Sequence, residues 1–114
     1  MEKQLKIQIG VVKRTKKEFD YYQTEISLNE DIITKMKNKE LSIEDDAEEH
    51  IYKIKKMNEI ISESYIMYEL AKKSYNDNII ILENMYNNIL KDSIEVNESY
   101  TKEADELIEL HYQL

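Results

Sequence analysis

The sequence predicts an all-α fold: an antiparallel up-down-up three-helix bundle, rod-shaped, with coiled-coil-like packing. Three observations predict it. The 114-residue chain has no proline and a single glycine, Gly10, so the tight turns of a many-stranded β-sandwich are not encoded. Charged residues make up 35% and apolar residues 41%, a balance that suits amphipathic helices better than disorder or a membrane span. Apolar residues also recur at steps of seven along most of the chain, which keeps one stripe of a helix turned toward a partner. At this length one domain is expected, covering residues 1–114.

Helix one is expected over about residues 3–39. Leu5, Val12, Phe19, Ile26 and Ile33 form its main seam, and Gln8, Thr15, Tyr22, Asn29 and Met36 form a weaker companion. Ile9, Val11 and Ile32 widen the stripe, as suits a helix that touches two neighbours. Glu18, Glu25 and Glu30 share the solvated positions with the lysines. Gly10 falls inside this helix, because the seam demands helix on both sides of it.

Residues 40–46 read as a turn. Ser42 is a candidate cap with Asp45 as its partner three residues on. Helix two is expected over about 43–90. Its main seam is Ala47, Ile54, Ile61, Tyr68, Tyr75, Leu82 and Ile89. Ile51, Tyr65, Ile79 and Tyr86 are the expected companion seam, interrupted by Asn58 and Lys72. The register runs through Asn76-Asp77-Asn78; a competing parse breaks there and gives three helices of equal length. Helix three is expected over about 93–113, capped by Asp92 or Ser93, with Val96, Tyr100, Ala104, Leu107, His111 and Leu114 as its stripe.

Several function classes lack their residues. Without cysteine there are no disulfides, thiolate nucleophiles or Cys-based metal sites. One glycine cannot build a phosphate loop or a nucleophile elbow, and none is available for the sixth position of an EF-hand calcium loop. The two histidines, His50 and His111, follow Ala47 and Ile108 by three residues, so the Glu-x-x-His motif of di-metal bundles fails at both. His50 is expected to be solvated in a first turn and His111 to lie at an amphipathic rim. No enzyme, cofactor or metal site is expected.

The formal net charge is −8, which opposes binding to nucleic acid or to an anionic membrane. No apolar run reaches a membrane span, and Met1-Glu2-Lys3-Gln4 leads into no signal-peptide core, so an intracellular protein is expected. The charge is uneven. Residues 1–40 carry nine basic and seven acidic groups, residues 41–75 five and eight, and residues 76–114 two and nine.

Two features suit a partner protein. Of the nine tyrosines, Tyr22, Tyr65, Tyr68, Tyr75 and Tyr86 sit on expected seams. Tyr21, Tyr52 and Tyr112 fall off or at the edge of them, where tyrosines act as interface anchors. Lys13-Arg14-Thr15-Lys16-Lys17 is the main cationic run of an acidic chain. Lys13, Arg14, Lys16 and Lys17, with Tyr21 beside them, are the candidate contact for an acidic partner; solubilising a long helix is the plainer reading.

The same segment carries a family resemblance. Gln4-Leu5-Lys6-Ile7, Gly10-Val11-Val12-Lys13-Arg14, Lys17-Glu18 and Tyr22 resemble the N-terminal helix of tubulin-binding cofactor A, also called tubulin-specific chaperone A. Further matches are Ile54-Lys55-Lys56 with Glu59-Ile60-Ile61-Ser62-Glu63-Ser64, then Tyr75 and Ile81-Leu82-Glu83-Asn84, and finally Tyr100 with Lys102-Glu103-Ala104. The resemblance implies a cytoplasmic three-helix protein without catalytic activity. It implies capture of β-tubulin after chaperonin-assisted folding, holding it for αβ-heterodimer assembly, with other tubulin-folding cofactors as further partners. Both monomers and homodimers occur in the family. Where the family carries a proline in helix two, this chain has Tyr68-Glu69 and none. The alternative is a structural or adaptor coiled-coil protein, spectrin-like, with no chaperone role. Polar Gln8, Asn29, Asn58 and Lys72 at seam positions oppose a long self-sufficient dimer.

Overall fold

The computed structural model describes residues 1–113, so Leu114, the end of the expected third stripe, lies outside the described residues. Three helices follow one another: α1, Glu2–Asn38; α2, Ala47–Lys91; and α3, Glu98–Gln113. No strand occurs among the described residues. The helices form two compact units, Met1–Phe19 with Ala71–Leu114, and Asp20–Leu70.

The first unit is the three-helix bundle. Side-chain pairs fix the directions of its helices. Glu2 accepts a hydrogen bond from the Asn97 amide (2.7 Å), and Lys13 pairs with Glu103, so α1 and α3 run the same way. Gln8 Nε2 donates to the Asn78 carbonyl at 2.9 Å, while Tyr112 donates to Glu83 at 2.7 Å and His111 meets Tyr75. α2 runs against α1, since Gln8 reaches Asn78 whereas Phe19, farther along α1, stacks on Tyr75, earlier in α2, and it therefore runs against α3 as well. Leu5, Ile9, Val12, Tyr75, Ile79, Leu82, Ile89 and Ala104 form the buried core. Phe19 packs against it, stacked on Tyr75 at 5.9 Å between ring centroids. Every position of the two α1 seams named above is buried or half-buried, from Leu5 to Met36.

The second unit is a two-helix hairpin of the end of α1 and the start of α2. Ile26 and Ile33 are buried in it, and so is Ser64. Tyr65 donates to Glu30 across the hairpin.

The companion seam of α2 differs from the expected one. Ile51 and Tyr65 are exposed, as are Asn58 and Lys72. Met57, Ser64, Ala71, Asn78 and Met85, three residues after the main-seam positions from Ile54 to Leu82, are buried or half-buried instead. The expected set lay four residues after the main seam. Lys72 explains the choice, because burying an unpaired ammonium costs several kcal/mol, on the order of the domain's whole stability. Ser64 and Ala71 let two helices approach without cost. In the three-helix unit α2 has two neighbours, so both flanks are used there and Ile79 is buried as expected.

The connections differ too. α2 begins at Ala47, not near residue 43. Ser42 and Asp45 do pair, with Asp45 Oδ2 accepting from the Ser42 amide (2.8 Å) and hydroxyl (3.1 Å), but they close a turn and start no helix. Ile43 beside them is fully exposed, so a helix there would bury nothing. Asp46 is the cap and accepts from the Glu48 and Glu49 amides at 3.0 and 3.1 Å. The Ser42 bonds, with help from Lys39, hold the Asp45 carboxyl below its ordinary value.

α2 continues unbroken through Asn76-Asp77-Asn78 to Lys91. It ends with Ser93 in the left-handed region (φ 50°) and a bond from the Ile94 amide to the Ile89 carbonyl at 3.1 Å. This is the αL closure that normally takes glycine. Neither Asp92 nor Ser93 caps α3. Asn97 does, accepting from the Ser99 amide at 2.9 Å, so α3 starts five residues later than expected.

Gly10 lies inside α1 without positive φ, and a Cβ added there meets no atom within 4 Å. Gly10→Ala is expected to stabilise the fold by about 1 kcal/mol, the helix-propensity difference. Thermal melts of the two chains check it; an unchanged or lower midpoint would contradict it.

The tyrosines give a pH expectation. Bonds to Glu30 and Glu83 raise the hydroxyl values of Tyr65 and Tyr112. Burial, and then the Asp105 charge, raise that of Tyr86. Each group holds its proton more tightly folded than unfolded. Its contribution is complete below the unfolded value near 10 and is lost as pH rises through the higher folded value. Stability should therefore fall above about pH 10. Urea unfolding at rising pH checks this, and replacing the three by phenylalanine should flatten the decline.

Candidate partner-binding face

The first half of α1 positions the candidate cations. Helical spacing splits the run Lys13–Lys17 between two environments. Lys13 and Lys16 turn toward the bundle. Lys13 pairs with Glu103 of α3, and the Lys16 ammonium lies over the rings of Phe19 (5.5 Å) and Tyr75 (5.8 Å). Such contacts restrict both side chains. Arg14 and Lys17 are exposed on the outer side of α1. Tyr21 belongs to the hairpin unit, is 62% exposed, and meets Tyr22 edge-on at 5.2 Å. The cations thus divide: Lys13 and Lys16 are engaged within the bundle, while Arg14 and Lys17 face solvent.

The outer side of α1 extends further than the run suggested. Lys3, Lys6, Ile7, Gly10 and Arg14 line an open groove of about 420 Å³. Ile7 is 57% exposed there, and the missing side chain of Gly10 forms the floor. Spacings of three and four from Lys3 to Lys17 put these residues on one face. In the sequence this face is a three- and four-residue periodicity, which overlaps the contiguous cationic run only at Arg14 and Lys17.

The histidines and off-seam tyrosines divide. His50 sits in the first turn of α2, its amide bonded to the Asp46 carbonyl at 3.0 Å, and is half-buried where a solvated ring was expected. His111 is half-buried between Tyr75 and Tyr112, with ring centroids 5.3 and 5.2 Å away. Its Nδ1 is buried without a hydrogen-bond partner. Tyr52 and Tyr112 are exposed. Among the described residues no three His, Asp or Glu side chains group as metal ligands. No helix among them is long and apolar enough to cross a membrane.

No curated protein and no solved structure matches the chain significantly. The family model of tubulin binding cofactor A matches residues 1–108. With three helices in the expected order and a match over nearly its whole length, the chain belongs to the tubulin binding cofactor A family, a family of tubulin-folding cofactors.

Proposed function

We propose that the chain captures β-tubulin after chaperonin-assisted folding and holds it, in the cytoplasm, for assembly into the αβ heterodimer. The observation that carries this reading is the family match over residues 1–108. The physical task fits a helical surface. Holding a nearly folded client needs broad contact and no covalent chemistry. Exposed apolar side chains supply buried area, and rim charges set association rate and salt dependence.

Lys13, Arg14, Lys16, Lys17 and Tyr21 are the proposed contact residues, with unequal roles. Arg14 and Lys17 meet carboxylates of the acidic client directly. Lys13 and Lys16 add positive potential from their places against Glu103 and the Phe19–Tyr75 pair. Tyr21 is an apolar anchor. A local positive patch matters because client and chain are both acidic, and charges act over about 8 Å at physiological salt. Arg14→Glu with Lys17→Glu should weaken capture and flatten its salt dependence while leaving the helical melt unchanged. Replacing Lys13 and Lys16 as well would also lower the melt.

The test is a pull-down of α- and β-tubulin, assayed separately, from a folding lysate. Retention of β-tubulin and not of α-tubulin is expected. Equal retention of both, or of neither, would overturn the reading.

A further inference from the structure

Packing within the chain does not account for Gly10. Outside its chain neighbours and its own helix backbone, no atom lies within 4 Å of the missing Cβ, and the backbone conformation is one that any residue adopts. Helix stability alone favours alanine there by about 1 kcal/mol. The groove over Gly10 holds a second feature without an internal explanation. Among the described residues, Lys3, Lys6, Arg14 and Lys17 take part in no ion pair, although the chain carries 24 carboxylates. Lys3, Lys6 and Arg14 thus line the groove beside Ile7 and bare helix backbone, and Lys17 continues the same face one turn on.

We infer that this face docks an acidic amphipathic helix of the captured client. An apolar side chain of that helix lies in the groove over Gly10 against Ile7, and its carboxylates meet Lys3, Lys6, Arg14 and Lys17. The inference rests on the client-binding reading above. Helix axes pack 8–10 Å apart depending on the side chains between them, and a residue without Cβ permits the close end of that range. The three- and four-residue spacing of the face is that of the ridges on a second helix. Charge selects the sign of the occupant: residues 1–19 carry six cations and two carboxylates, whereas residues 71–113 carry four and nine. An anionic membrane would meet the same cations, but residues 20–70 carry six cations and thirteen carboxylates, which such a surface repels.

The test titrates the isotope-labelled full chain with a synthetic amphipathic helix, leucine on one face and glutamate on its flanks, and follows amide shifts by NMR. A lysine-flanked counterpart and phosphatidylserine vesicles are the other probes. The glutamate helix is expected to shift residues 3–17 saturably, more weakly as salt rises, and the lysine helix to leave them unmoved. Gly10→Gln fills the groove without adding charge; it should keep the fold and weaken the glutamate helix about tenfold, the size of a lost central contact. Lys6→Glu with Arg14→Glu should exchange the preference between the two helices. Equal binding to Gly10→Gln and the natural chain, shifts outside residues 3–17, binding of vesicles alone, or shifts produced only by raising the chain's own concentration would each overturn the inference. These probes contain no tubulin. A chain that binds the glutamate helix but not β-tubulin keeps the docking face and loses the function; one that retains β-tubulin unaffected by Gly10→Gln keeps the function and loses the face.

Discussion

Leu82→Ala is expected to lower the unfolding free energy by about 3 kcal/mol, within the 2–5 kcal/mol range of large-to-small core changes. Leu82 is completely buried on α2, in the core cluster with Leu5, Val12 and Ile79. The deletion removes buried apolar area, and packed helices on both flanks limit how far the site can collapse. Against a usual total of 5–15 kcal/mol, the loss takes a large share of the fold's stability. The melting midpoint should drop by about 10 °C or more. Leu90, 59% exposed one face away on the same helix, is the control. Leu90→Ala should cost less than about 1 kcal/mol. Urea unfolding of both variants checks the pair, and equal costs would show that the register of α2 is wrong.

Ala104→Asp is expected to be as damaging by a different route. Ala104 is the one fully buried residue of α3. A carboxylate there has no room to reach water. It must either be buried protonated or lift α3 from the bundle, at a cost of several kcal/mol, or about 3 at least. α3 has 16 residues, a length that is marginal for an isolated helix in water. Undocking should therefore unwind it. Amide exchange at residues 98–113 should rise sharply while exchange at Ile26 and Ile33 of the hairpin unit changes little. Ala104→Ser, close in volume, should leave exchange almost as in the natural chain. Full protection of α3 in the aspartate variant would show that Ala104 is not at a packed contact.

The physics of patterning explains how much was legible. The main α1 seam could be read because hydrophobicity and position agree at every step from Leu5 to Ile33, and the heptad offset then placed its more polar companion. The main seam of α2 was legible for the same reason from Ile54 to Ile89, but Ala47, its expected first member, is exposed in the first turn of the helix. The companion seam of α2 was not legible, since Ser64, Ala71 and Asn78 carry little hydrophobic signal: they are buried for their small size or their hydrogen bonds. Asn78, for example, is held by Gln8 and donates to the Ser74 carbonyl. Lys72 and Asn58 on the other flank were the better evidence.

The caps were misplaced because several Ser, Asp and Asn residues stand near each helix start, and local chemistry allows all of them. What selects Asp46 and Asn97 is where the first residues with something to pack against appear. For the binding face, the charge run was visible but its division was not. Whether Lys13 finds Glu103, or Lys16 finds Phe19 and Tyr75, depends on which helices adjoin α1, and that is a tertiary fact. Lys3, Lys6 and Ile7 were legible in principle, as a three- and four-residue periodicity around Gly10.

A chain that holds β-tubulin, as proposed above, must keep it from aggregating. Suppression of aggregation tests this most directly: α- or β-tubulin is released from chaperonin, separately, into rising concentrations of the chain, and light scattering is followed. The account predicts that scattering by β-tubulin falls saturably, that added salt weakens the effect, and that scattering by α-tubulin is unchanged. Equal suppression of both tubulins, or none of either, would contradict it.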